Sequence, residues 1–390
     1  MKNTALRKLT AVITALVILT ACLTPAVYAI VIPQDVKNVI LLIGDGMGPN
    51  ALEWTKAETG EELFMDTLPY HGYSQTDSLS GTTDSAAGAT ALSCGKRVFN
   101  SNLCELALLI DGFGAKVCTY TNVSEIAKSL GKRAGIVTSD TNTGATPAGF
   151  SVHTYKRELA EEITAQQKDC GLDLIWAADG GFSVKEDFEK AGWAYAETMT
   201  ELTEIENGVR SFAAIDGHIQ YETDSDDDAP LSTLTSMAIE NLDNENGFFL
   251  MVEGAHIDKN SHSNNKEGMM KSLLEFDKAV QNAVEFAERD GNTIVIVTAD
   301  HETGGITYNE EIKAYEYTSG SHTNADVPLR LFGAEDLVKD GQAVKNVEVA
   351  KFIAKKLGYT KKFPVTQFNF AFPAELFKAL FDAAKASIAN

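Results

Sequence analysis

Positive charge is what this chain has least of. Lysine and arginine number 33 against 55 aspartates and glutamates, giving a formal charge of −22 over 390 residues. Such a surface repels phosphate backbones and anionic lipid, which argues against nucleic acid and acidic membranes as partners. It also repels anionic small molecules, so a site for one needs cations of its own. Cysteine is sparse: beyond Cys22 there are Cys94, Cys104, Cys118 and Cys170. In an exported chain these four allow two disulfides in three pairings, or stay as buried free thiols. Long apolar runs are missing except from Leu9 to Leu23. That run is too short and too rich in Thr and Ala for a good membrane span. No internal repeat is evident. The acidic run Asp224–Asp228 lacks the spacing and terminal glutamate of an EF-hand, so it reads as a solvated loop.

The apolar run comes after the basic residues Lys2, Arg7 and Lys8, which is the pattern of a secretory signal. Two processing signals compete. Val27-Tyr28-Ala29 is a small-x-small site, and Leu19-Thr20-Ala21-Cys22 resembles a lipobox that would leave a lipidated Cys22 as a membrane tether. We take simple cleavage as the expectation, with residues 1–29 as leader and 30–390 as one catalytic domain. Removing that leader takes the charge from −22 to −25.

Three apolar stretches read as strands buried on both faces, and each ends in an acid. Val39–Ile43 runs into Gly44-Asp45-Gly46, Phe248–Val252 into Glu253, and Thr293–Thr298 toward Asp300-His301. Carboxyl ends of central strands are where open α/β sheets bind ligands. Asp45 has two oxygens and can bridge two cations. Asp258 and His262 lie four apart, which one helical turn puts on one face, half of a zinc site. Ser319-Gly320-Ser321-His322 adds a loop histidine. Ser85 falls at a loop-to-helix junction beside Asp84, where a hydroxyl feels the positive end of the helix dipole. Thr146, expected to be extended by the proline after it, is a hard oxygen donor suited to magnesium. Arg157 can grip phosphate with its planar fork. The tail from about 372 to 386 reads as an amphipathic helix packed on the body, with Leu376, Phe377, Leu380 and Phe381 on one side.

Neutral histidine with carboxylate suits zinc, and an all-oxygen set suits magnesium. Taken in order, GDGMG, TDSAAGAT, ATPAGFSVHTYKR, MVEGAHIDKNSH, TADHETGG and SGSHT resemble the alkaline phosphatases of the zinc/magnesium type, from about Val36 to Leu357. The resemblance implies a three-layer α/β/α fold with a central, mostly parallel sheet. It implies hydrolysis of small phosphate monoesters through a phosphoserine on Ser85. It further implies one zinc on Asp258, His262 and His322, a second on Asp45, Asp300 and His301, and magnesium on Asp45, Thr146 and Glu253. Arg157 would clamp the phosphate, Lys259 would reach it through water or an aspartate, and the protein would be a homodimer outside the cytoplasm: secreted, periplasmic or on the cell surface.

One departure bears on the magnesium set: Gly144 stands where relatives often carry Asp or His. Two other readings compete with a monoesterase. A phosphodiesterase or nucleotide pyrophosphatase of the same superfamily would accept a second ester group and would not need Arg157. A non-catalytic metal- or phosphate-binding surface lipoprotein would carry a dead site. A sulfatase would need a C-x-P-x-R-like site, and the sequence has none.

Overall fold

Alternation along one short strand decides the layering. In β1 (Asn38–Gly44) every residue is buried. Val39, Leu41 and Ile43 enter one apolar cluster, while Ile40 and Leu42 enter the other. Successive side chains of a strand point to opposite faces, so a strand apolar at every position must be covered on both sides. The computed structural model describes residues 36–110, 113–215, 229–372, 374–378 and 380. All of these lie in one compact unit, Ile32–Asn390.

The main sheet has ten strands. After β1 come β2 (Tyr70–Gln75), β3 (Arg133–Thr141), β4 (Leu174–Ala178), β5 (Ala194–Ala196), β6 (Ser211–Ile215), β7 (Phe248–Gly254), β8 (Thr293–Thr298), β9 (Val327–Phe332) and β10 (Gln342–Lys345). Their spatial order is β10-β2-β9-β8-β1-β7-β3-β4-β6-β5. Only β9 pairs antiparallel, with β8 and with β2. The sheet is therefore the mostly parallel one expected.

Helices cover both faces. Pro49–Thr59 (α1), Leu231–Leu242 (α5) and Lys266–Asp290 (α7) bury apolar residues in the cluster that holds Ile40 and Leu42. Ser85–Cys94 (α2), Val123–Ser129 (α3) and Val347–Lys356 (α8) do so on the other face. Two short helices, Ala145–Ala148 (α4) and His256–His262 (α6), come directly after β3 and β7. Parallel register places Ile43 opposite both Glu253 and Thr298, so the carboxyl ends of β8, β1 and β7 finish level.

Several sequence expectations are corrected. Thr146 is not extended. It sits in α4, with Gly144 at the N-cap and Pro147 in the first turn. A proline there forfeits only a backbone N–H that has no intrahelical partner, so the turn tolerates it. Of the two alternatives for the cysteines the structure has the second: Cys94, Cys104, Cys118 and Cys170 are free thiols, and the first three are buried. In the described part of the tail, residues 374–378 are helical with Leu376 half-buried, and Phe377 and Leu380 are exposed. The leader with Cys22, the acidic run at 224–228 and Phe381 lie outside the described residues. No helix among the described residues is long and apolar enough to cross a membrane.

Candidate active site

The level strand ends become a site through the turns and helices attached to them. After β1 the chain turns at Gly46, whose φ is +73° and whose missing side chain matters: a Cβ there would lie 2.8 Å from the Asp258 backbone. Glycine alone meets both demands cheaply. The Gly46 N–H then donates to Asp300 Oδ1 at 3.3 Å, tying the ends of β1 and β8 together. From β7 the chain enters α6, which carries Asp258 and His262 on one face. Past β8, beyond Asp300 and His301, Glu302 and Thr303 pair as a short antiparallel ladder with Thr323 and His322. The Glu302 carboxylate accepts from the Thr323 hydroxyl, which fixes the loop that brings His322 in.

Ser85 is the first residue of α2. The helix is capped by Asp84, whose Oδ1 accepts from Ala87 N at 2.9 Å, so the Ser85 hydroxyl is not consumed as a cap. Ser85 Oγ lies 3.2 Å from His301 Nε2. That same nitrogen is 3.2 Å from Asp300 Oδ2 and 3.5 Å from Asp45 Oδ1. His262 Nε2 is 3.3 Å from Asp258 Oδ2 and 3.1 Å from His322 Nε2, and His322 Nε2 is 3.6 Å from Asp258 Oδ1. Ligand atoms converge in two groups, Asp45-Asp300-His301 and Asp258-His301-His322, so His301 belongs to both. Arg157 Nη1 stands 3.5 Å from Asp84 Oδ2. Thr146 and Glu253 are buried, each with a side-chain oxygen sealed from solvent. Lys259 points to Asp140.

The charge balance calls for cations. Asp45 is pushed up first by burial and then by the carboxylates of Asp300, Asp258 and Glu253. Burial and then Asp140 push Glu253 up to about 8. Burial and then Asp258 push Asp300 up to about 7. Burial and the neighbouring His322 hold His301 well below the usual histidine range. Its hydrogen bond to Asp258 raises His262 to about 9. Burial raises Asp258, but the bond from His262, then the neighbouring His301 and the bond from Thr303, outweigh that and hold it low. Asp45 Oδ1, Thr146 Oγ1, Glu253 Oε1 and Asp300 Oδ2 are buried without a hydrogen-bond partner among the described residues. Buried acceptors left unpaired beside neutral imidazole are costly unless an ion takes them. The residues present therefore fit divalent cations: two groups mix nitrogen and oxygen, and the buried oxygens of Asp45, Thr146 and Glu253 are hard donors left without a partner among the described residues.

Three contributors escape a reading of the sequence by motif alone. Thr83 and Gly320 present backbone carbonyls to the Nδ1 atoms of His322 and His262, at 2.9 and 2.8 Å. Such bonds set which ring nitrogen faces the metal. For His301 that role falls to a side chain: Thr303 Oγ1 is 3.2 Å from its Nδ1 and donates to Asp258. The spacing of two in an extended segment, which points His301 and Thr303 the same way, was the available signal. Replacing Thr303 by valine is expected to weaken divalent-cation binding by about tenfold or more, with Thr303→Ser restoring it. Zinc titration of the two variants checks this. His153, although in the same motif as Arg157, is elsewhere: it bonds Glu125 at 3.0 Å and the Cys104 carbonyl at 3.2 Å.

An α/β sheet whose central strand ends gather acids and histidines around a serine at a helix start defines a metal-dependent hydrolase. Residues 36–175 and 176–361 match the family described as alkaline phosphatase. Alkaline phosphatase 3 of Bacillus subtilis is 32% identical over 360 residues, covering 84% of this chain and 74% of its own length. The alkaline phosphatase of the Antarctic bacterium TAB5 superposes with a TM-score of 0.73 at 27% identity, over 84% of this chain and all of the other. A variant of that enzyme with one histidine changed to aspartate has Mg bound in its M3 site and superposes with a TM-score of 0.70 at 27% identity, over 84% of this chain and 100% of its own. The chain belongs to the alkaline phosphatase family and is a phosphatase.

Proposed function

We propose that this chain is an exported phosphomonoesterase that converts phosphate monoesters to an alcohol and inorganic phosphate through a phosphoserine on Ser85, using two zinc ions and one magnesium, as a homodimer. The observation that carries this reading is the 3.2 Å approach of Ser85 Oγ to His301 Nε2 at the start of a helix, within the acid and histidine cluster. Asp258, His262 and His322 would hold one zinc, Asp45, Asp300 and His301 the other, and Asp45, Thr146 and Glu253 the magnesium. When bound, the cations supply the positive charge that favours the ionised serine and steadies the leaving oxygen.

The chain's own residues do the rest. Ser85 Oγ, having lost its proton, attacks phosphorus as the bond to the alcohol oxygen breaks, leaving a phosphate ester on the serine. Water then attacks that phosphorus, the bond to Ser85 Oγ breaks, and inorganic phosphate leaves. Arg157 pairs with two non-bridging oxygens throughout, and Asp84 holds its guanidinium on the Ser85 side. The positive end of α2 favours the same negative charge. Export is supported by the basic and apolar leader, where Cys22 remains a rival processing point.

Turnover of a mono- and a bis-ester of the same phenol tests the reading. The monoester is expected to be faster by about two orders of magnitude, about 2.7 kcal/mol, because the bis-ester loses one of the two charges that Arg157 and the cations grip. A bis-ester preference would favour the phosphodiesterase reading. Absence of turnover in metal-loaded protein would favour a binding protein.

A further inference from the structure

The oxygen-only group has a gap that the fold fills from an unexpected place. Thr146 Oγ1 and Glu253 Oε1 have no hydrogen-bond partner among the described residues, and the two residues are 1% and 0% exposed. Position 144, two residues before Thr146, offers no side chain. Yet the volume a side chain would use is occupied: a Cβ on Gly144 would sit 2.5 Å from Asp140 Oδ2, 2.8 Å from its Cγ and 3.1 Å from its Cβ. Asp140 gets there because β3 runs on through Thr141, and the turn closed by Gly144 N to Thr141 O at 2.9 Å folds residue 144 back over it.

Asp140 is also held in that place. Its Oδ1 accepts from Lys259 Nζ and from Thr141 N, the latter at 2.7 Å. Its own N–H donates to Thr138 Oγ1 at 2.8 Å, and that hydroxyl donates to Glu253 Oε2. A connected path thus runs from Lys259 through Asp140 and Thr138 to Glu253. After burial, Asp140 is the charge acting most on Glu253, and Lys259 opposes it.

We propose that Asp140 supplies the carboxylate that position 144 lacks, and that the Asp140–Lys259 pair forms the outer wall of the third cation site. This rests on the three-cation phosphatase reading. A hard, hydrated cation gains from a further oxygen at its rim, whether met directly or through water, and Lys259 keeps the added charge in check. Asp140 is then a positioning residue that sets affinity for magnesium. Lys259, tied to it, serves that wall before it serves phosphate.

The test is magnesium titration by calorimetry of the full protein loaded with zinc, with zinc content measured alongside. Asp140→Asn is nearly isosteric and is expected to weaken magnesium binding by about tenfold or more while both zinc ions stay. Gly144→Ala should act alike, because its methyl displaces the Asp140 carboxylate. The double variant Asp140→Gly/Gly144→Asp, which moves the carboxylate to the other position, should recover the affinity. Wild-type magnesium affinity in Asp140→Asn, or no recovery in a folded, zinc-loaded double variant, overturns the proposal alone. If wild-type protein with two zinc ions takes up no magnesium, the three-cation reading fails and this proposal with it.

Discussion

Replacement of Ser85 by alanine is expected to lower kcat for a phosphate monoester by about four orders of magnitude, about 5.4 kcal/mol of transition-state stabilisation. The nucleophile and the groups around it act as a unit, so removing the attacking oxygen forfeits most of what the others supply. Residual turnover would come from direct attack by water on a phosphate still held by Arg157 and the cations. The substitution spares the fold. Ser85 is the first residue of α2, while the cap is made by Asp84. Alanine is the best helix former and leaves that cap intact. The checks are steady-state rates, together with acid quenching on a phosphate-labelled monoester: wild-type protein should retain covalent label and Ser85→Ala none. Full activity in the variant would place the nucleophile elsewhere.

Stripping the metals is expected to abolish turnover and to leave a protein whose stability falls as pH rises. The acids of the site set the sign. Glu253, at about 8, and Asp300, at about 7, lie far above the unfolded carboxylate value, and Asp45 is raised too. The folded, metal-free chain therefore binds more protons than the unfolded chain between about pH 4 and 8, and stability decreases across that window. His262, raised to about 9 by its bond to Asp258, adds in the same direction: its contribution is complete below about pH 6.5 and is lost through 9. His301 opposes, since its lowered value makes folding more favourable as pH climbs to about 7. The net loss is accordingly steepest above about pH 7. Bound cations take the carboxylates in their charged form and should remove this slope. Mass action adds about 2.7 kcal/mol per site at a hundredfold excess over Kd. Melting temperatures of chelated and reloaded protein from pH 5 to 9 check both parts. Parallel curves would mean that the acids are not the cation ligands.

These expectations rest on residues of two kinds, and they differ in how readable they were. The mostly parallel sheet is legible in apolar runs such as Val39–Ile43, because burial on two faces leaves a local pattern in the chain. Asp45, Glu253 and Asp300 were legible for the same reason: each stands at the end of such a strand. Thr146 shows the limit of a local rule. The preference of a residue before proline for extended backbone was outweighed by the turn that closes at Gly144.

What the sequence determined by itself is the chemistry on offer: the acids at strand ends, the Asp258–His262 spacing, the serine at a helix start, and an acidic surface that needs cations to hold an anion. Tertiary structure alone decided which of these groups share an atom's reach. His301 serves two ligand clusters, Thr303 joins them across 45 residues to Asp258, and Lys259 meets Asp140 across 119. The reason is physical. Periodicity and turn chemistry are properties of neighbours along the chain, whereas a hydrogen bond or a cation site depends on distances in space that only the register of β8, β1 and β7 establishes.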